Sequence, residues 1–455
     1  MKTAKYIYHY IIIICALFAA TFTACDKDVH ENEYPLSGGE GAFVIGLQAD
    51  KEVDNLNIFI FDSDGTTVLR NDYTDPRELA SHYQPVKAGS YVVVAIANCT
   101  EDGMPGMTTI ADLNEWLKEH AAGYPEMLTA SAQESVAEGE VKRLHLELQD
   151  GTGGIGLSTL RLLLTLPDKT MPAYTTRSAD DNTPSLRLTA EVYKQGTDTR
   201  VHRRTLLCEP QTDGTYLAEL SLLAGSYDLR LWADWTTDGT TADKYYNADD
   251  LSAVTVLTDN YVANGQTDEK DAYYATLTTN LSSPLGGVEG AGAAVSVPLT
   301  RPFARYRLVA TDVEGYYNLM EKENYPPIED LQVSVTYEGF FPTGFNVASG
   351  KPNDALNTGI TYTATPVTAE GYDPDEARQV GADFVLTGGD DSFVTVTIRM
   401  VDKNTGKAVT TLNGVKIPYR RGHLTTVSGM FLTAGKATGG VQIDTDWDDT
   451  IIVEF

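Results

Sequence analysis

The chain has 455 residues, with 64 acidic and 34 basic side chains and a formal charge of −30. At roughly 150 residues per domain, that length implies about three domains. An apolar share of 42% with ordinary Gly and Pro usage excludes a disordered tail and a collagen-like repeat. So acidic a surface repels phosphate backbones and anionic headgroups, which excludes nucleic acid as a partner.

The first 24 residues read as an export signal. Lys2 and Lys5 precede the apolar run Ile11–Ala20, which is shorter than the roughly 20 residues a membrane span needs. Phe22-Thr23-Ala24-Cys25 resembles a lipobox. That resemblance implies cleavage before Cys25, acylation of Cys25 and anchoring in the outer membrane. Ordinary signal cleavage beside a stray Cys is the alternative. Residues 25–40 form an acidic tether. Its start, Asp26–Glu33, resembles a surface-export signal, although polarity alone also keeps a tether in water. Cys99 and Cys208 are left as small apolar fillers, with no C-x-x-C motif and no disulfide framework.

The body reads as strands. Leu56–Phe61 is β-rich and ends at the turn cluster Asp62-Ser63-Asp64-Gly65. Tyr91–Ile96, Leu144–Leu148, Leu160–Leu166 and Leu186–Tyr193 continue the theme, followed by Leu331–Tyr337 and Phe393–Met400. Period two with a turn every ten to fifteen residues predicts an all-β chain of antiparallel sandwiches. One helix is predicted near 110–121. Thr109 and Asp112 fit a capping box, Ile110, Leu113 and Leu117 share a face, and Gly123 ends the run. The helix is expected to lie across a loop of the first domain.

An internal echo organises the domains. Gly89-Ser90-Tyr91, followed by alternation to Ala97-Asn98, returns as Gly225-Ser226-Tyr227 with Ala233-Asp234. Two related sandwiches are inferred, at 41–150 and 155–300, joined by Gly151-Thr152-Gly153-Gly154. A third β-rich module covers 301–435, and a C-terminal strand covers 436–455.

Leu56–Asp62 paired with Gly89–Asn98 resembles the first domain of Bacteroidetes fimbrillin-type subunits, the anchor class above all. Residues 155–435 resemble an uncharacterised, fimbrillin-related domain family. Its marks are Tyr227–Trp235, Asp271–Tyr274, Val297–Arg305, Phe341–Val347, Ile417–Arg421 and Leu424–Thr433. Arg421-Gly422-His423 departs from that pattern, which expects Asn after the Arg. The resemblance implies tandem transthyretin-like Greek-key sandwiches and a role in type V pili. In such pili an Arg-specific protease removes a subunit's first strand, and the emptied groove takes a strand from the next subunit.

Two features bear on that role. In the tail, Val441, Ile443, Trp447, Ile451, Val453 and Phe455 share one face, a candidate donor strand. An ordinary final strand folded onto the third module is the alternative. In addition, no Arg lies between Cys25 and Arg70, so the loop after the first strand, placed at Phe43–Gln48, offers no cut. An uncut subunit could donate a strand but not accept one, as an anchor or accessory subunit does.

The expected function is therefore a lipid-anchored cell-surface protein of pilus assembly or adhesion. Its partners would be fimbrial subunits or surface ligands. A glycan-binding surface lipoprotein is the alternative, with Trp232, Trp235, Tyr245 and Tyr246 as a candidate sugar platform or else as core. A structural surface protein without a ligand is the third reading. No enzyme, metal or cofactor is expected, because no His or Cys sits at metal-ligand spacing and no catalytic motif occurs. Asp62–Gly65 opens like a Ca²⁺ loop but lacks the distal Glu, so it reads as a hairpin turn.

Overall fold

The computed structural model describes residues 36–452 apart from short internal stretches, the longest being 168–183 and 282–293. The leader, Cys25 and the tether up to residue 35 lie outside the described residues.

The architecture is all-β, as the alternation implies. Three sandwiches follow one another, built from the same seven strands in the same order. In the first, these are Glu40–Ala49, Leu56–Phe61, Thr67–Tyr73, Gln84–Lys87, Gly89–Ala97, Leu128–Val136 and Val141–Asp150. In the second, they are Leu157–Thr165, Ser185–Lys194, Arg200–Leu207, Tyr216–Leu223, Gly225–Thr236, Ala272–Leu281 and Ala294–Pro298. In the third, they are Phe303–Ala310, Leu331–Glu338, Thr361–Ala364, Arg378–Leu386, Ser392–Asp402, Ala408–Tyr419 and Leu424–Gly429. Each time, the third, second, fifth and sixth strands pair in that order and the first lies between the fourth and the seventh. These are separate sheets in the second and third sandwiches, while in the first the sixth and seventh strands pair at Leu128↔Asp150 and Thr129↔Gln149 and join them into one. This is the transthyretin-like order. The first strand always runs parallel to the seventh, while the other pairings within each sandwich are antiparallel. Parallel partners need a long crossover between them, and here the remainder of each sandwich is that crossover.

The echo has a structural cause. Gly89–Ala97 and Gly225–Thr236 are the fifth strands of their sandwiches. Tyr91 donates its hydroxyl to the Lys87 carbonyl at 2.6 Å, and Tyr227 donates to Leu223 at 2.9 Å. Each ring pins the chain four residues back, at the turn into its strand. It also lies over the glycine two residues before it: a Cβ on Gly89 or Gly225 would meet the Tyr hydroxyl at 3.4 or 3.0 Å. In the third sandwich the equivalent strand begins Ser392-Phe393. That ring has no hydroxyl and is exposed.

The predicted helix forms as Ile110–His120. Asp112 N–H donates to Thr109 Oγ1 at 3.1 Å, and Thr109 N–H donates to Asp112 Oδ2 at 3.0 Å. Instead of crossing a loop, the helix covers the outer face of the first sandwich. Ile110, Leu113, Trp116 and Leu117 pack on Phe59, Phe61, Val92, Val94 and Ile96. Leu56, Ile58 and Ile60 face the sandwich interior. Both faces of Leu56–Phe61 are thus dry, which is why that strand is apolar rather than alternating, except at Asn57, whose buried amide donates to the Cys99 carbonyl at 3.1 Å. Thr109→Ala removes one cap bond and should cost about 1 kcal/mol, read as a lower denaturant midpoint for the first sandwich.

The second and third sandwiches share a core. The connection from the second's fifth to sixth strand carries Tyr246–Asn247, Val254–Val256 and the helix Thr258–Ala263. Val254–Val256 pairs with Gly344–Asn346 of the third sandwich. Tyr245, Tyr246, Leu251, Val254 and Tyr261 join Phe303, Tyr306, Phe345 and Phe384 in one apolar cluster. The first and second sandwiches meet through Leu157 and Leu223, which join the outer apolar cluster of the first, and through polar contacts. Arg203 N–H donates to Ser90 Oγ at 2.8 Å, Leu223 N–H donates to Gln133 Oε1 at 3.0 Å, and Lys194 pairs with Glu134.

Candidate strand-exchange site

The first strand, Glu40–Ala49, lies between the seventh and the fourth strands. It pairs in parallel with the seventh strand from Ala42↔Val141 to Ala49↔Leu148, and antiparallel with the fourth from Glu40↔Lys87 to Phe43↔Gln84. Phe43 and Ile45 are buried in the core, and the Tyr91 ring meets Phe43 edge-on at 5.9 Å. Burying each such side chain contributes roughly 1.5–3 kcal/mol. Gly41 passes so close to the turn between the sixth and seventh strands that a Cβ would meet the Ala137 carbonyl at 2.5 Å. Withdrawing this strand would open a groove with two rows of unpaired backbone groups and apolar pockets for Phe43 and Ile45.

The loop that follows carries Lys51, which reaches Asp150 Oδ1 at 2.6 Å. Arg70, the first Arg after Cys25, lies within the third strand. It donates to Asp72 Oδ1 at 3.1 Å and to the Met104 carbonyl at 3.3 Å, with its guanidinium over the Phe59 ring. A protease needs an extended, accessible segment, and this Arg is held in a sheet.

The tail begins on the outer edge of the third sandwich's seventh strand. Val441–Asp446 pairs antiparallel with it at Gly429↔Val441 and Ser428↔Gln442. It then pairs with Thr450–Ile452, so residues 441–452 form two short strands and not one extended one. Val441, Ile443 and Ile451 belong to these strands; Trp447, Val453 and Phe455 lie outside the described residues.

The candidate sugar platform is mostly core. Trp232, Tyr245 and Tyr246 are buried, with Trp232 edge-on to Tyr246 at 5.4 Å. Trp235 is half-buried against Tyr216. A sugar stacks on an exposed ring face, which the three buried rings lack. They cluster in sequence because the fifth strand runs straight into the connection that seals the shared core. Asp62–Gly65 is a hairpin turn in which Asp62 Oδ1 accepts from the N–H groups of Asp64 and Thr66. Cys99 and Cys208 are buried thiols outside any disulfide, and burial pushes the Cys208 thiol up to about 12. Among the described residues, no three His, Cys, Asp or Glu gather as metal ligands, and no helix is long and apolar enough to cross a membrane.

Residues 153–454 match the model of a family of unknown function, DUF6562. The chain belongs to the DUF6562 family. That match spans the second and third sandwiches, the two that share a core. Residues 46–220 match the model of the fimbrillin-A associated anchor proteins Mfa1 and Mfa2, so the fimbrillin-type resemblance holds for the front of the chain. The two matches overlap on the second sandwich. Similar solved structures include the fimbrial anchor protein Mfa2 from Porphyromonas gingivalis, at 13% identity and a TM-score of 0.29, over 56% of this chain and 82% of that one. The C-terminally truncated tip fimbrial protein Mfa3 of the same organism is 10% identical, with a TM-score of 0.29, over 58% and 81%. A candidate adhesin from Bacteroides ovatus is 11% identical, with a TM-score of 0.34, over 63% and 92%. No curated protein matches the chain.

Proposed function

We propose that this DUF6562 protein is a cell-surface component of pilus assembly or adhesion, anchored in the outer membrane by lipid on Cys25. It keeps its first strand and donates one to a partner subunit through its tail. The observation that carries this reading is the guarded first strand. Glu40–Ala49 is paired on one edge with the seventh strand from Ala42 to Ala49 and on the other with the fourth strand from Glu40 to Phe43, and no Arg lies between Cys25 and Arg70. The match of residues 46–220 to fimbrial anchor proteins supports the same reading. With its groove filled, the subunit cannot accept a strand, so it occupies an end of an assembly. Residues 441–455 carry alternating apolar positions in sequence, and among the described residues Val441–Asp446 meets the edge of the seventh strand at two positions.

Two measurements test it. Cys25→Ala should move the protein from the membrane fraction to the soluble fraction, and mature wild-type protein should begin at Cys25. Recovery of shed protein beginning after residue 45 would overturn the reading. A chain ending at residue 435 should keep its fold and lose co-purification with partner subunits. Undiminished co-purification would remove the tail from the assembly.

A further inference from the structure

Lys270 ends the short 3-10 turn Asp268–Lys270 in the connection shared by the second and third sandwiches. Asp383 lies in the third sandwich's fourth strand, Arg378–Leu386. Lys270 Nζ is 3.1 Å from Asp383 Oδ1, and the two side chains are 1% and 0% exposed. The shell is aromatic. The Tyr261 ring centre lies 3.8 Å from Nζ and the Tyr362 ring centre 5.8 Å. Tyr337 donates its hydroxyl to Asp383 Oδ2 at 2.8 Å, and the Tyr306 hydroxyl lies 2.9 Å beyond it.

An ammonium and a carboxylate removed from water are costly to keep as ions. A proton crossing the short gap from Nζ to Oδ1 discharges both. Burial holds the Lys270 ammonium below its usual pKa, with Asp383 opposing, so the free amine is within reach. A free amine held against a protonated carboxyl in a dry site is a nucleophile positioned on its electrophile.

We propose that Lys270 and Asp383 join in an intramolecular isopeptide bond. After the first proton has passed to Oδ1, the Nζ lone pair attacks Cγ and the Nζ–Cγ bond forms. The Cγ–Oδ1 bond breaks, and Oδ1 departs as water with a second proton from Nζ. No oxidant or reductant takes part. Tyr337 donates to Oδ2, where negative charge develops during attack, and keeps that hydrogen bond to the amide carbonyl afterwards. A neutral amide then replaces a buried ion pair. It joins the connection leaving the second sandwich to the third, between residues 113 positions apart in the chain. Such a bond suits a protein that must carry load through its domains.

Peptide mapping of the full chain tests this directly. Trypsin does not cut after an acylated Lys. The expected product is residues 245–305 branched to residues 379–399, lighter by one water than the two peptides together. The branched peptide should be absent from Lys270→Arg, which keeps the charge but cannot form the bond. Quantitative recovery from wild-type protein of the linear peptides 245–270 and 379–399 would overturn the proposal, as would a branched product that survives Lys270→Arg.

Discussion

Arg187→Ala is expected to cost about 3–5 kcal/mol, the range for removing one partner of a buried ion pair, and to unfold the second sandwich first. Arg187 is 2% exposed. It forks onto Asp234, with Nε donating to Oδ1 and Nη2 to Oδ2, each at 2.7 Å. Nη1 donates to the Thr241 carbonyl at 3.0 Å and also reaches Asp243. Trp232 Nε1 donates to the same Asp234 carboxylate at 3.1 Å. Removing the guanidinium therefore strands a carboxylate that is 5% exposed. It also cuts the link between the second and fifth strands, which carry Arg187 and Asp234 opposite each other. Arg161→Ala is the control. Its pair with Glu219 is 43% and 52% exposed, and such pairs contribute about 0–1 kcal/mol. Denaturant titration of both variants reads the contrast. A loss below about 1 kcal/mol for Arg187→Ala would mean that water reaches the Asp234 site once the side chain is gone.

Alternation was legible wherever one face of a strand meets water. Leu144, Leu146 and Leu148 point inward between exposed neighbours. Leu331–Glu338 and Phe393–Met400 behave alike. Leu56–Phe61 hid its covered outer face, because a strand buried on both sides carries no period. The capping box was legible because it lies within four residues. The sandwich repeat was legible twice and missed once. The Gly-Ser-Tyr signature exists because a Tyr hydroxyl reaches back to the turn, and the third sandwich's fifth strand has no such Tyr: Phe393 is on its exposed face and the buried row begins at Val394. With the hydroxyl gone, only strand order preserves the relation, and strand order cannot be read from one sequence.

The site was less legible. The missing Arg before Arg70 is a plain reading of composition, but the pairing of Glu40–Ala49 with the fourth and seventh strands is a tertiary fact. In sequence, the aromatic cluster Trp232 to Tyr246 reads more readily as core than as a platform. What decides is Val254–Val256 pairing with Gly344–Asn346, a contact made across about ninety residues. The same long-range packing brings Lys270 to Asp383. In sequence, one is a lysine in an acidic loop and the other an acid in an apolar strand.

Acid should loosen the junction of the first and second sandwiches through His202. This imidazole is 2% exposed, and its Nε2 has no hydrogen-bond partner. It lines a small cavity between the two sandwiches with Asp62, Tyr91, Ile110, Leu157 and Ser221. Burial, helped by the Arg204 charge, pushes its pKa down to about 4. The unfolded chain carries this His near its ordinary 6.5. Between those values the unfolded chain binds a proton that the folded chain refuses, so stability is full above pH 6.5 and falls as pH drops through the window. The whole shift amounts to about 3 kcal/mol, of which about 2 kcal/mol is lost by pH 5, before most carboxylates titrate. Asp62 beside the cavity limits the loss, although its Oδ1 is already engaged by two backbone N–H groups. His202→Leu should flatten the difference in unfolding free energy between pH 7 and pH 5 by that amount. An equal pH 7 to pH 5 loss in wild type and variant would show that another group carries the acid sensitivity.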